Sequence, residues 1–461
     1  MSVAAPTAAQ DAAESEAPAH PTFGEAFRVW LRIGLLSFGG PAGQIALMHR
    51  ILVDEKRWIG ERRFLHALNY CMLLPGPEAQ QLATYVGWLL HKVRGGLVAG
   101  TLFVLPGFFA ILGLSILYAG WYSVPLVAAL FYGLKPVVLA IVVQAVQRLG
   151  KRALGTPVMW LIAALAFLGI YAFNVPFPLI VLGAAVIGLA GSWLMPSAFK
   201  PVTHADTGNG TVIGEETPEH LRPSPARAVA TLALWGGLWA APVVALLVLA
   251  GPSNVFTQSA LYFSKMAVLS FGGAYAVLAY VAQAAVETYG WISPGQMLDG
   301  LALAETTPGP LILVLEYVGF LAAYGQPGGL DPFVAGALGA TLVVWVTFAP
   351  CFLWIFLGGP WIEALRGIRL LDGALSAITA AVVGVILNLA LWFAARTLFA
   401  RVEAFTLGPL SLDVPVWSTF DPFFAVVAIV ALLAMLRFNA GLFIVLAGGA
   451  AAGLGWHLLR G

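Results

Sequence analysis

Apolar residues run through this chain in long blocks separated by short polar breaks. Blocks close to the roughly 20 residues that cross hydrocarbon lie at about 95–119, 124–147, 157–175 and 176–195. A second set lies at about 229–251, 333–357, 371–395, 421–436 and 438–458. The pattern predicts an all-α polytopic membrane protein with about 9 full spans. Ahead of each set, shorter apolar stretches are interrupted by Phe-Gly-Gly and Pro-Gly-Pro, which predicts broken or re-entrant helices there.

Two stretches are polar throughout. Residues 1–22 are rich in Ala, Pro, Ser and Glu and lack an apolar core, so a disordered tail is expected and not a signal peptide. Residues 198–227 read as a flexible linker that splits the chain nearly in half. The expected organisation is a first membrane repeat over 23–197, then an extra span and a second repeat over 228–461.

The halves echo each other. "RIGLLSFGG" at 32–40 returns as "KMAVLSFGG" at 265–273, placing Phe38 and Phe271 233 positions apart. Pro75-Gly76-Pro77 returns as Pro308-Gly309-Pro310, and Trp58 as Trp291, at the same 233-residue offset. Three landmarks in one register point to duplication. Arg32 maps to Lys265 and Ser37 to Ser270, whereas Arg28 maps to Leu261 and reads as a terminal arginine that snorkels to headgroups.

Composition narrows the function. The chain is 60% hydrophobic and 10% charged, with mean hydropathy +0.89. Net charge +1 offers nucleic acid no basic surface. Cys71 and Cys351 sit in separate apolar stretches, and the histidines show no metal-ligand spacing. Without a nucleophile elbow or Walker loop, no enzyme, metal or cofactor is expected.

Charge also suggests an orientation. The loop 49–63 holds Arg50, Lys56, Arg57, Arg62 and Arg63, while its equivalent 282–296 holds Glu287 and no Lys or Arg. Lys92, Arg94, Arg148, Lys151, Arg152, Arg366, Arg369 and Arg437 fall on the basic side; Arg396 and Arg401 fall opposite. The positive-inside rule then predicts an inverted-topology repeat with cytoplasmic N-terminus and linker and an external C-terminus. The single extra span at 229–251 inverts the second half.

Inverted repeats with interrupted helices mark secondary transporters, with the substrate site near mid-membrane. Phe38-Gly39-Gly40-Pro41 and Pro75-Gly76-Pro77 each break a helix and restart one, as do Phe271-Gly272-Gly273 and Pro308-Gly309-Pro310. Restarted helices offer unpaired N–H groups and a positive dipole end to an anion. Arg32 and Lys265 supply cations, so a tetrahedral oxyanion is the expected substrate class, with Gln81 as a further ligand. Glu78 and Glu305 are candidates for proton coupling, and Glu316 a lesser one. The structural alternatives are glycines for close packing, cations paired with carbonyls or Glu305, and Glu78 favouring a helix N-terminus. Lys135, Asn69, Gln144 and Asn388 read as interhelical hydrogen-bond partners.

On "FGGPAGQIALMHR", "RWIGERRF" and "LLPGPEAQQLATYVGW", with "SFGGAYAVLAYV" and "ALAETTPGPLILVLEYVGF", the chain resembles the chromate ion transporter family in its long, two-half form. The resemblance spans roughly 24–459 and implies a multi-pass inner-membrane carrier that exports chromate and confers resistance. Sulfate, an isosteric dianion, is the implied competitor or alternative substrate, carried by a transporter or a channel on the same scaffold. Membrane lipid, and a second copy in a homodimer, are the partners this picture admits. After Pro-Gly-Pro the halves diverge, because Glu78 and Gln81 correspond to Leu311 and Val314.

Overall fold

The computed structural model describes residues 19–38, 40–195, 212, 223–270, 274–364, 369–408 and 410–460. Most of the expected tail and linker, Gly39, Phe271-Gly272-Gly273 and Arg366 lie outside the described residues.

The first half opens with three short helices, α1 (Phe23–Leu36), α2 (Gly40–His49) and α3 (Glu61–Leu73). Thr22 caps α1 by accepting from the Glu25 N–H, and α2 runs on into a π-helical turn, Arg50–Glu55. Then come α4 (Glu78–Trp121), α5 (Pro125–Ala153), α6 (Pro157–Phe173) and α7 (Phe177–Leu194). Proline at the first helical turn starts α5, α6 and α7, where its missing N–H costs nothing.

Helix α8 (Pro225–Leu249) follows and buries none of its residues, so the extra span sits at the periphery against α13 and α9. It begins three residues earlier than the expected domain start at 228, because Ser224 caps it and Pro225 occupies its first turn.

The second half repeats the first. Its elements are α9 (Val255–Leu269), α10 (Ala274–Gln283) with the π turn Ala284–Thr288, α11 (Pro294–Thr306), and α12 (Val314–Gly325) after a 3-10 turn at Leu311–Leu313. Long helices α13 (Pro332–Ala364) and α14 (Arg369–Leu398) precede α15 (Pro422–Arg437) and α16 (Leu442–Arg460). Even the π turns recur: the Trp58 N–H donates to Leu52 O at 2.8 Å, and the Trp291 N–H to Ala285 O at 2.8 Å.

Helix α4 is no single rod: His91 (φ −130°) and Lys92 (φ +54°) fold it back on itself, just ahead of the span expected from about 95. Gly87 and Gly95 meet across that turn so closely that a methyl group on either would strike the other's carbonyl oxygen. Gly319 of α12 and Gly339 of α13 make the same approach in the second half. The chain is also not purely helical: Val402–Leu407 (β1) and Leu410–Pro415 (β2) form an antiparallel hairpin. Its turn passes through Gly408 at φ +60°, and Val402, Phe405 and Thr406 on β1 are residue types that favour strands.

Among the described residues, seven helices are long and apolar enough to cross a membrane. Two others expected as full spans, α6 and α15, are apolar but shorter, at 17 and 16 residues. The core forms around the restarted segments. Residues 79–90 of α4 and 311–323 of the 3-10 turn and α12 are buried without interruption. A helix buried on every face can afford to be apolar all round; the few polar side chains left there, such as Gln80, Gln81, Thr84 and Glu316, stand out for that reason.

Candidate functional site

Ser37 and Ser270 end α1 and α9 alike, with φ −78°, ψ 69° and φ −81°, ψ 68°. Each hydroxyl donates back into its own helix, to Ile33 O at 2.6 Å and to Ala267 O at 3.2 Å. Each backbone carbonyl is turned to the other half: Ser37 O accepts the Gly309 N–H at 2.8 Å, and Ser270 O accepts the Gly76 N–H at 3.0 Å. The 233-residue shift exchanges one bond for the other. Flanked by prolines that lack an N–H, Gly76 and Gly309 are the sole backbone donors within their loops, and both donors are spent on this crossing.

The loops need glycine. Gly76 lies at φ +122° and Gly309 at φ +96°, a region side-chain-bearing residues rarely enter. A Cβ at Gly76 would sit 2.7 Å from the Gln81 amide nitrogen and 2.9 Å from Cys351 Sγ. Gly107 of α4 lies under the second loop, where a methyl group would collide with the Pro308 carbonyl oxygen. Gly40, at φ +72°, has open space around it, so its requirement is one of angle alone.

Two buried glutamines complete the clamp. Gln44 donates from Nε2 to Gly309 O at 2.6 Å and to Ser37 O at 3.4 Å. Gln81 donates to Pro75 O at 2.7 Å, within its own half. The corresponding residues of the second half are Val277 and Val314, so among the described residues the second loop is tied to the first half twice and the first loop to the second half once. The far oxygens of Gln44, Gln80 and Gln81 are buried without a partner, which leaves acceptor capacity at the crossing.

Beyond the loops, α4 restarts after Pro77, whose carbonyl accepts the Gln81 N–H at 3.1 Å, and the second half restarts at Leu311 after Pro310. The N–H groups of these first turns have no partner within their own helices. Phe38 packs edge-on against Phe443 of α16 at 5.6 Å between ring centroids. Pro41 stands in the first turn of α2.

The charged candidates fall around this crossing and not all within it. Arg32 pairs with Glu55 at 3.2 Å, and its side chain is 51% exposed. Lys265 is exposed on α9, and the residue matching Glu55 is Thr288, so no equivalent carboxylate serves it. Glu78 is half-buried at the first turn of α4. Glu305 is buried and accepts from the Tyr275 hydroxyl at 2.7 Å. Arg152 lies within electrostatic range of Glu78, and Arg148 of Glu305, without a direct ion pair in either case, and both arginines are exposed. These two arginines lie one turn apart on α5, a relation their spacing alone could have suggested.

Among the described residues, no group of His, Cys, Asp and Glu could hold a metal ion.

The chromate transporter family model matches residues 24–189 and 257–454, on either side of the linker and α8. A chromate transport protein of Pseudomonas aeruginosa is 32% identical over 389 residues, 83% of this chain and 83% of that protein. One of Cupriavidus metallidurans is 26% identical over 372 residues, 80% of this chain and 82% of the relative. A short uncharacterized transporter of Bacillus subtilis is 24% identical over 165 residues, which make up 93% of its own length but 35% of this chain. No solved structure matches the chain at a comparable level.

Proposed function

The chain belongs to the chromate transporter family, and from that premise we propose that it is a secondary active transporter exporting chromate across the inner membrane and so conferring resistance. It is an integral membrane protein. The observation that carries the proposal is the reciprocal pair of Ser–Gly hydrogen bonds, which joins the two halves at their broken segments. Broken backbone deep in a membrane protein is tolerated where it is enclosed or lines a path, and transporters built from repeats use such a seam as their substrate site.

In this reading the halves are inverted in topology, with the N-terminus and linker cytoplasmic and the C-terminus external. The orphan N–H groups that open α4 and the second-half restart meet the oxyanion, together with the loops Phe38–Pro41, Pro75–Pro77 and Pro308–Pro310. Arg148 and Arg152 offset its charge from α5, while Arg32, already paired with Glu55, and Lys265 line its approach. A dianion suits this set because burying it unpaired would be prohibitive. Movement is driven by protons or a counter-anion, with Glu78 and Glu305 next to the loops as the first carboxylates to consider.

The test is uptake of labelled chromate into everted vesicles, with and without a pH gradient, and with sulfate as competitor. Chromate accumulation that depends on the protein is expected. Transport of sulfate but not chromate would replace the substrate, and single-channel currents in a bilayer would replace the carrier with a channel.

A further inference from the structure

A second polar cluster lies inside the protein, apart from the Pro-Gly-Pro crossing. Asp299 of α11 is fully buried, with 0% of its side chain exposed, and pairs through Oδ2 with the Lys135 ammonium of α5 at 3.4 Å. The Tyr118 hydroxyl of α4 donates to the same oxygen at 2.9 Å. Lys135 also donates to the Tyr122 hydroxyl at 3.4 Å. The other carboxylate oxygen, Oδ1, is buried and has no partner. Glycines make room on both sides: a Cβ at Gly295 would sit 3.2 Å from Lys135 Nζ, and one at Gly300 would run into the Tyr317 ring.

From the sequence Lys135 reads as a simple hydrogen-bond partner, and Asp299 carries no motif. Together they form a buried ion pair between the two halves. A carboxylate held by one cation and one hydroxyl, with an oxygen left over, is poorly compensated for full burial. Such a group inside a membrane protein is retained at a cost and marks a function by default.

We propose that Asp299 is a proton-loading group of the transporter, beside the carboxylates at the loops, with Lys135 as its counter-charge. The proton adds to Oδ1, the oxygen without a partner, while Oδ2 keeps the Tyr118 hydrogen bond. Protonation removes the one negative charge facing Lys135, and the contact between α5 and α11 loosens. Loss of the proton restores the pair and closes the contact. The two protonation states therefore favour two arrangements of one half against the other, which is what coupling requires.

The surroundings hold little that could substitute. Facing Asp299 are Lys135 from α5, Tyr118 and Tyr122 from α4, and Tyr317 from α12. Glu316 precedes Tyr317 and is buried with both oxygens unpartnered, a second acid on the neighbouring helix. On α11 itself Glu305 is already bonded to Tyr275. On α14, which also packs against α11, Arg396 is engaged by Glu287 and Asp413. The 3-10 turn Leu311–Leu313 brings no titratable group.

The inference rests on the transport reading above, and the experiment separates the two. In proteoliposomes, labelled chromate is followed in equilibrium exchange and in accumulation driven by a pH gradient. For Asp299→Asn, exchange should persist and gradient-driven accumulation should be lost; Lys135→Met combined with Asp299→Asn, which leaves no stranded cation, should behave alike. Gradient-driven accumulation by Asp299→Asn would overturn the proposal. So would exchange without any pH-driven accumulation in the wild type. Loss of exchange in both the single and the double variant would assign the pair to packing and overturn it too. Absence of chromate exchange in the wild type would instead remove the chromate reading itself.

Discussion

Gly309 and Ser37 are bound at both ends of the Gly309 peptide. The Gly309 N–H reaches Ser37 O at 2.8 Å, and the Gly309 carbonyl is gripped by Gln44, whose amide also touches Ser37 O. The matching pair, Gly76 and Ser270, has the backbone bond but a valine where Gln44 would be. The two halves are thus equivalent in backbone and unequal in side chains. The seam is held more firmly on the Gly309 side.

Gly76→Ala and Gly309→Ala should each destabilise the protein by about 1–3 kcal/mol, the cost of holding a side-chain-bearing residue at a sparsely populated backbone angle. Transport should fall further than stability, because the loop must also give way at the Ser–Gly bond. Vesicle transport beside a thermal melt checks this; wild-type transport in both variants would detach the crossing from function.

Gly107→Ala should be damaging where Gly113→Ala is harmless. The first places a methyl group against the Pro308 carbonyl, while Gly113 has nothing within 4 Å. Overpacking costs about 1–3 kcal/mol, whereas Gly→Ala at an open helical position gains up to roughly 1 kcal/mol. Equal melting temperatures for the two variants would contradict the close contact.

Gln44→Leu removes the donor from the buried Gly309 carbonyl, a loss of about 1–3 kcal/mol. Gln81→Leu releases only Pro75, inside its own half. The expected outcome is that Gln44→Leu alters the chromate KM more than Gln81→Leu. The reverse order in vesicle kinetics would show that the inter-half tie is not the limiting one.

Arg148→Gln and Arg152→Gln should raise the KM for chromate with normal membrane insertion. Arg32→Ala and Lys265→Ala should act more mildly, because Arg32 is already paired with Glu55 and Lys265 lies off the loops; all four side chains are exposed, so every effect should shrink in high salt. Transport measured against chromate concentration ranks the four. A larger effect at Arg32 or Lys265 would move the binding cations from α5 to the approach.

Arg396 latches the hairpin. It meets Asp413 of β2 at 2.5 Å and Glu287 at 2.7 Å, and it stacks over Trp392 at 4.4 Å, on the wall of a cavity of about 510 Å³. Both carboxylates are about a third exposed, so Arg396→Gln should cost only about 1 kcal/mol. It should nonetheless make β1–β2 more sensitive to limited proteolysis. Unchanged cleavage would mean that the bridge between Phe399 and Phe420 holds the hairpin without it.

The pattern along the chain was enough for what is local or repeated. Hydrophobic block length set the long helices, Pro and Gly marked the broken segments, and the 233-residue register showed that those segments recur. The β hairpin escaped because six-residue strands in an apolar chain carry little periodic signal. What only the tertiary structure decided was which groups meet. A repeat fixes symmetry between positions and says nothing of contact: Arg32 and Lys265 match in register yet stay exposed, while Ser37 finds Gly309. Lys135 and Asp299 are 164 positions apart and have no register relation, since Asp299 corresponds to His66. Their pairing follows from α5 packing on α11. Burial then makes each charge require the other, a constraint that exists only once the helices are assembled.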